Sequence, residues 1–185
     1  LTQKRMYITG GIGPTHHNEG FTFDYDLPNE TAYAETCASI ALANWAHRMF
    51  HMEPNSEYID VLERTIYNGI ISGLNLNGDR FFYSNRLAAL PKEIEANPHG
   101  FSLQRQPWFD VACCPTNIVR FLPSIPGFIY SKNNAGVSIN LYIQSSVVIN
   151  FKDAEVKINQ KNTQPWDDKC TIEIDSQYEK DIKLY

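Results

Sequence analysis

Cysteine is scarce in this chain. Four thiols, Cys37, Cys113, Cys114 and Cys170, stand among 185 residues. That is too few for the disulfide scaffold of a small secreted domain. Positive charge is also in short supply: 16 Lys and Arg face 21 Asp and Glu, for a formal charge of −5. A net anionic chain is a poor match for nucleic acid or an anionic membrane surface, so neither partner is expected. No apolar run approaches the ~20 residues of a membrane-spanning helix. No repeat, low-complexity tract or signal peptide is visible. The chain opens on Leu1 and stops in the strand-like run "DIKLY". Both ends read as cut, so a fragment of a longer protein is expected; the compartment is unknown from the sequence, with cytoplasm favoured over secretion.

What is present is core-forming: 43% of residues are hydrophobic and 12% aromatic. Residues 1–30 read as irregular, with Gly10, Gly11, Gly13, Pro14 and Gly20 supplying turns. Capping signals start a helix at Asn29. Ala38, Leu42, Trp45, Met49 and Met52 stripe it at spacings of four and three, and Pro54 ends it. A second helix runs over 56–74 with Ser56 as cap and Ile59, Leu62, Ile66 and Ile70 on one face. "DRFFYSN" (79–85) reads as a short strand, followed by loop around Pro91, Pro98 and Pro107. A third helix starts at Pro115 or Thr116 and is limited by Pro123 and Pro126. After residue 135 the period becomes two. Residues 136–151 read as a strand pair turning near Ser145-Ser146, and "AEVKINQKN" and "KCTIEID" alternate as well. Helices first and antiparallel strands second give an α+β chain, with a helical domain over 1–134 and a β-sandwich-like domain over 135–185.

Glu35-Thr-Cys37 and Cys113-Cys114 offer one carboxylate and three thiols. Such a set suits tetrahedral zinc, with Zn–S about 2.3 Å, and soft thiolates select against magnesium and calcium. The spacing matches no standard zinc finger. The competing reading of each cysteine is a small buried hydrophobe, and the pattern leaves both open. Geometry adds a condition. Positions i and i+2 diverge on a helix but share a side in extended chain. If Glu35 and Cys37 hold one ion, the helix must begin near Thr36 rather than Asn29. The adjacent sulfurs of Cys113 and Cys114 can share an ion if the backbone turns between them.

Other features have plainer readings. Gly10-Gly-Ile-Gly13 lacks the lysine and strand–loop–helix context of a phosphate loop. His16-His17 reads as a solvated pair. His47 and His51 have helical i, i+4 spacing without a glutamate motif, and read as surface or packing residues. Asn29-Glu-Thr31 is a glycosylation sequon, and Cys170 reads as strand core.

The runs "MYITGGIG", "DYDLPNETAYAETCASIALANWAHRM", "ERTIYNGIISGL", "FFYSN" and "WFDVACCPTNIVRFL" resemble the β-L-arabinofuranosidase family, glycoside hydrolase family 127. The later "NQKNTQPWDDKCTIEI" resembles a segment of that family's β-domain. The resemblance covers nearly the whole chain. It implies the second half of an (α/α)6 barrel followed by antiparallel β-sandwich strands. It implies a retaining glycosidase that releases L-arabinofuranose from β-L-arabinofuranosides through a zinc-bound cysteine. Position by position, it implies Cys113 as nucleophile, with Glu35, Cys37 and Cys114 as the other zinc ligands. Glu19 would be the general acid/base, and Glu63 and Tyr83 would lie in the sugar pocket. Trp108, with Tyr83, would wall the sugar's apolar face.

The first half of the family's barrel is missing, along with histidines that hold the sugar. Pro123 and Pro126 stand where a smoother helix is expected. A half barrel exposes apolar faces, so a missing N-terminal half or a second copy is expected as partner, and this chain alone is expected to be inactive. The alternative is a non-catalytic carbohydrate-binding or scaffold protein with a structural Glu/Cys3 zinc site, closed by four protein ligands. Access to Cys113, and Glu19 across a cleft from it, would separate the two.

Overall fold

The computed structural model describes residues 1–90, 92, 102–152, 155–164, 166, 168–176 and 183–185. The loop expected around Pro91 and Pro98 lies outside the described residues, as do Ala154, Pro165, Asp167 and the start of "DIKLY". The chain divides into two units, Leu1–Pro123 and Ser124–Tyr185. Helices and mixed sheets segregate as the periodicity requires. No helix among the described residues is long and apolar enough to cross a membrane.

In the first unit, α1 spans Thr36–Met52. The start at Asn29 suggested by capping does not occur. Glu35 is extended (φ −60°, ψ 140°) and Ala34 has a positive φ of 38°. Residues 33–35 give their backbone groups to neighbouring loops instead: Ala34 N donates to Gly13 O at 2.8 Å, and Asn85 N donates to Ala34 O at 3.1 Å. Tertiary partners have overridden local propensity. The buried face of α1 carries Ile40, Leu42, Ala43, Ala46 and Phe50. Of the expected stripe only Leu42 is buried, while Trp45 and Met52 are exposed.

Helix α2 spans Ser56–Arg64, and its cap is Asn55, not Ser56: Asn55 Oδ1 accepts from Glu57 N at 3.0 Å. It continues as a π-helical turn, Thr65–Ile70, and a 3-10 turn, Ile71–Gly73. Leu62, Ile66 and Ile70 are buried as expected. Gly10 passes against this turn so closely that an added Cβ would sit 2.8 Å from Thr65 Cα. Residues 79–85 form isolated bridges rather than a strand; Phe81 bridges both Leu74 and Gln106, and Ser84 bridges Glu35. Helix α3, Cys113–Phe121, begins earlier than Pro115. Pro115 is tolerated there because the N–H groups of a first helical turn lack intrahelical acceptors.

In the second unit, α4 (Pro126–Ile129) takes Pro126 into its first turn. Among the described residues six strands follow: β1 Tyr130–Lys132, β2 Gly136–Ile139, β3 Ser145–Asn150, β4 Glu155–Asn162, β5 Cys170–Ser176 and β6 Lys183–Leu184. They form two sheets, β1-β2-β6 and β3-β4-β5. The expected turn at Ser145-Ser146 is absent: β2 and β3 belong to different sheets, and Ser145 opens β3. Between them Asn140 leaves the ladder, its Nδ2 donating to Phe128 O at 3.1 Å and Ser131 Oγ at 2.8 Å. All pairs are antiparallel except β2–β6, which is parallel. Val137, Ile149, Val156 and Ile158 make the core. Cys170 is half-buried rather than core, 3.8 Å from Gln160 Oε1.

Candidate functional site

Helices α1 and α3 pack together in the first unit. Glu35 caps α1 and Cys37 lies in its first turn, while Cys113 and Cys114 open α3. Both helix N-termini therefore bring their positive dipole ends beside the Glu35 carboxyl and the thiols. The extended backbone at Glu35 puts its carboxylate on the side of Cys37, as the i, i+2 condition requires. No turn separates Cys113 from Cys114. The chain bends before the helix, where Asp110 has φ 59°, and both cysteines are helical.

The four donor atoms lie within 4.8 Å of one another. Cys37 Sγ is 2.9 Å from Cys113 Sγ and 3.5 Å from Cys114 Sγ. Glu35 Oε1 is 3.4 Å from Cys113 Sγ and 3.5 Å from Cys114 Sγ. All three thiols are free. Cys114 is fully buried and Glu35 nearly so, whereas Cys37 and Cys113 keep partial access to solvent. The group could hold a metal ion.

The thiols differ electrostatically. The hydrogen bond shared with Cys114 pulls Cys37 down to about 7, against the cost of burial and the charge of Glu35, with Cys113 and Asn117 assisting. Burial first, then the hydrogen bond and charge shared with Cys37, pushes Cys113 up to about 12. The bond to Cys37 and burial raise Cys114 further. Among the three thiols, Cys37 is the first to ionise.

The surrounding shell holds the cluster in shape. Thr36, between Glu35 and Cys37, donates from Oγ1 to Phe82 O at 2.9 Å. Asn85 Nδ2 donates to Thr36 Oγ1 at 3.0 Å and to Ala34 O at 3.2 Å. Thr36 N donates to Tyr83 O at 3.0 Å, and that carbonyl lies 4.0 Å from Cys114 Sγ. Tyr83 is buried; its ring packs on Tyr33 (centroids 6.3 Å apart) and on Phe109 (5.9 Å).

Glu19 sits on an exposed 3-10 turn, His17–Glu19, with positive φ at Asn18 and Glu19. Its Oε1 accepts from the Tyr33 hydroxyl at 3.1 Å. Burial first, then the charge of Glu35 and the bond to Glu19, raise Tyr33 above the usual tyrosine range. Tyr33, Thr36, Asn85 and Asn117 escaped sequence reasoning. Asn117 carried a usable signal, since it lies one helical turn beyond the cysteine pair. The roles of Tyr33 and Asn85 depend on loop contacts that no periodicity reports.

Glu63 is half-buried on α2, where burial and Asp60 push its carboxyl up. Trp108 is about half exposed beside Phe109. His47 and His51 contact each other, Nε2 to Nε2 at 3.1 Å, on exposed helix surface. His16 and His17 are exposed.

Two family models match. The β-L-arabinofuranosidase GH127 catalytic domain covers residues 1–127, and the GH127 middle domain covers 136–185. A "non-reducing end beta-L-arabinofuranosidase" of Bifidobacterium longum subsp. longum is 40% identical over 169 residues, covering 90% of this chain and 25% of its own. The crystal structure of a GH127 β-L-arabinofuranosidase from Geobacillus stearothermophilus T6 superposes with a TM-score of 0.90 at 44% identity, over 95% of this chain and 28% of that one. A second solved GH127 β-arabinofuranosidase gives 0.83 at 41% identity, over 92% and 25%. The chain thus spans about a quarter of the length of the relatives it matches.

Proposed function

This chain belongs to glycoside hydrolase family 127, the β-L-arabinofuranosidase family, and from that premise we propose that it carries the catalytic centre of a retaining glycosidase acting on β-L-arabinofuranosides. The observation that carries the reading is the convergence of Glu35, Cys37, Cys113 and Cys114 on one point, with Cys113 left accessible while Cys114 is sealed. A purely structural clamp has no need of that asymmetry, which favours the enzyme over a scaffold.

Zinc is the ion the donors fit. Three sulfurs and one carboxylate oxygen make a tetrahedral set of the usual kind, and Zn–S bonds of about 2.3 Å would space the sulfurs by about 3.8 Å. The observed sulfur separations of 2.9 and 3.5 Å need only small outward shifts. When bound, zinc keeps its coordinating thiols deprotonated near neutral pH.

In the first step the Cys113 sulfur attacks the anomeric carbon. Glu19 donates its proton to the departing oxygen as the C–O bond breaks and a C–S bond forms. In the second step the Glu19 carboxylate takes a proton from water, the hydroxyl attacks the same carbon, and the C–S bond breaks to return the Cys113 thiolate. Two displacements on one carbon retain its configuration. Tyr83 and Trp108 would wall the sugar, and Glu63 would bond its hydroxyls. The helices of the first unit would form part of an (α/α)6 barrel. Exposed Trp45 and Met52 are then surface for the rest of that barrel, and the segment alone would not turn over substrate.

The test uses a polypeptide of the relatives' full length carrying this segment, assayed on an aryl β-L-arabinofuranoside with metal content measured in parallel. Glu19→Gln should lose about 10²–10⁴-fold in rate, and Cys113→Ser should be inactive. Full activity in Cys113→Ser would end the proposal.

A further inference from the structure

Glu19 has a long side chain on an exposed turn, and such a carboxylate samples several rotamers unless something selects one. The structure supplies that selection from a single buried phenol. Tyr33 is only 6% exposed, yet its hydroxyl reaches Glu19 Oε1 at 3.1 Å. The phenol cannot drift. Its backbone N–H donates to Pro14 O at 3.3 Å, and the next residue's N–H donates to Gly13 O at 2.8 Å. Its ring is tilted 50° against Tyr83, which packs on Phe109. The Tyr83 side chain also hydrogen-bonds Tyr33, and the Tyr83 carbonyl borders Cys114 Sγ at 4.0 Å. A continuous set of contacts therefore runs from the sulfur cluster through Tyr83 and Tyr33 to Glu19.

We propose that Tyr33 is a positioning residue for the Glu19 carboxyl, its hydroxyl fixing that group relative to the cysteine cluster for proton transfer to the leaving oxygen. The inference rests on the reading of Glu19 as general acid. It goes further in assigning how Glu19 is held: one buried donor, braced by Tyr83, in place of packing around the carboxylate itself. Proton transfer demands this, because misplacement by about 1 Å can cost on the order of 10²-fold.

A positioning role has a signature that a structural one lacks. Glycosides with poor leaving groups need the proton; those with a strongly acidic phenol leaving group do not. In the full-length polypeptide, Tyr33→Phe keeps the ring and removes only the hydroxyl. With a phenyl β-L-arabinofuranoside, kcat/KM should fall at least about tenfold, as expected when general acid catalysis is impaired. With the 2,4-dinitrophenyl analogue it should change less than about threefold, and bound zinc per chain should stay constant. Glu19→Gln serves as reference. If Glu19→Gln shows the leaving-group dependence and Tyr33→Phe does not, the positioning role is overturned while the catalytic reading survives. If Tyr33→Phe loses both substrates equally, or loses its metal, Tyr33 supports the fold or the cluster instead and the inference fails. If Glu19→Gln itself shows no leaving-group dependence, the catalytic reading falls and takes the inference with it.

Discussion

Cys37 Sγ and Cys113 Sγ stand 2.9 Å apart, each in the first turn of its own helix. Such proximity between thiols has an electrostatic consequence. Only one sulfur of the cluster ionises easily: Cys37 sits near 7, Cys113 near 12, and Cys114 is held higher still by its bond to Cys37 and its burial. A bound dication needs all three as thiolates, so metal must displace protons. The sign follows directly. Lower pH keeps protons on the sulfurs and weakens binding, so affinity rises as pH rises through neutrality. Calorimetric titration with zinc near neutral pH, in buffers of different ionisation heat, should report release of roughly two protons. Uptake, or affinity indifferent to pH, would mean that the thiols are not the ligands.

Asn55, not Ser56, closes the N-terminus of α2, with its Oδ1 accepting from Glu57 N. Removing a cap costs about 1 kcal/mol, whereas an exposed first-turn serine contributes within about 0.5 kcal/mol. Urea midpoints should therefore fall for Asn55→Ala and barely move for Ser56→Ala. The opposite order would restore the cap that spacing alone suggested.

The same pair shows what the sequence could and could not reveal. The buried faces of α2 and β4 were legible because side-chain burial repeats along the chain, whereas α1 was found as a helix with a different buried face from the expected stripe. Boundaries were not, wherever a distant segment took over the backbone. Residues 33–35 should have been helical by propensity, yet bonds to Gly13 and Asn85 hold them out of the helix, Ala34 at positive φ and Glu35 extended. The metal condition on Glu35 and Cys37 gave the right start for α1 because it asked about side-chain direction, a tertiary requirement. At Cys113 and Cys114 the same kind of reasoning placed the turn between the cysteines. The chain turns instead at Asp110, since adjacent helical residues at a first turn can both reach a point beyond the helix end. The ligand set was readable from residue type. Its supports, Tyr33 and Asn85, were not, because they act through hydrogen bonds to distant segments that leave no periodic trace.

Gly10 crosses the π-helical turn of α2 with φ 86°, and an added Cβ would meet Thr65 Cα at 2.8 Å. Neither the dihedral nor the backbone neighbour can yield cheaply, and Thr65 Oγ1 also donates to Gly10 O at 3.3 Å. Gly10→Ala should cost more than about 2 kcal/mol in unfolding free energy. Gly127, inside α4, meets nothing within 4 Å. There the same substitution removes only glycine's backbone freedom and should add up to about 1 kcal/mol. Equal effects at the two sites would refute the close crossing.

Thr36 separates two of the four donors, and its hydroxyl is used twice, donating to Phe82 O and accepting from Asn85 Nδ2. Those bonds fix the one peptide step that lets Glu35 stay extended while Cys37 is already helical. Thr36→Val keeps the shape and removes both bonds. It strands the Phe82 carbonyl and leaves the Asn85 amide with only the Ala34 carbonyl, so the start of α1 can rotate and carry Glu35 away from the sulfurs. Outer-shell losses of this kind typically cost 10–100-fold in metal affinity, and that loss should be read by competition with a chromogenic zinc chelator. Asn85→Ala should produce a similar drop, because it removes the donor that holds both Thr36 and the Ala34 carbonyl. The two changes act on one network, so the double variant should lose less than the product of the single losses. A full product would mean that Thr36 and Asn85 support the cluster independently.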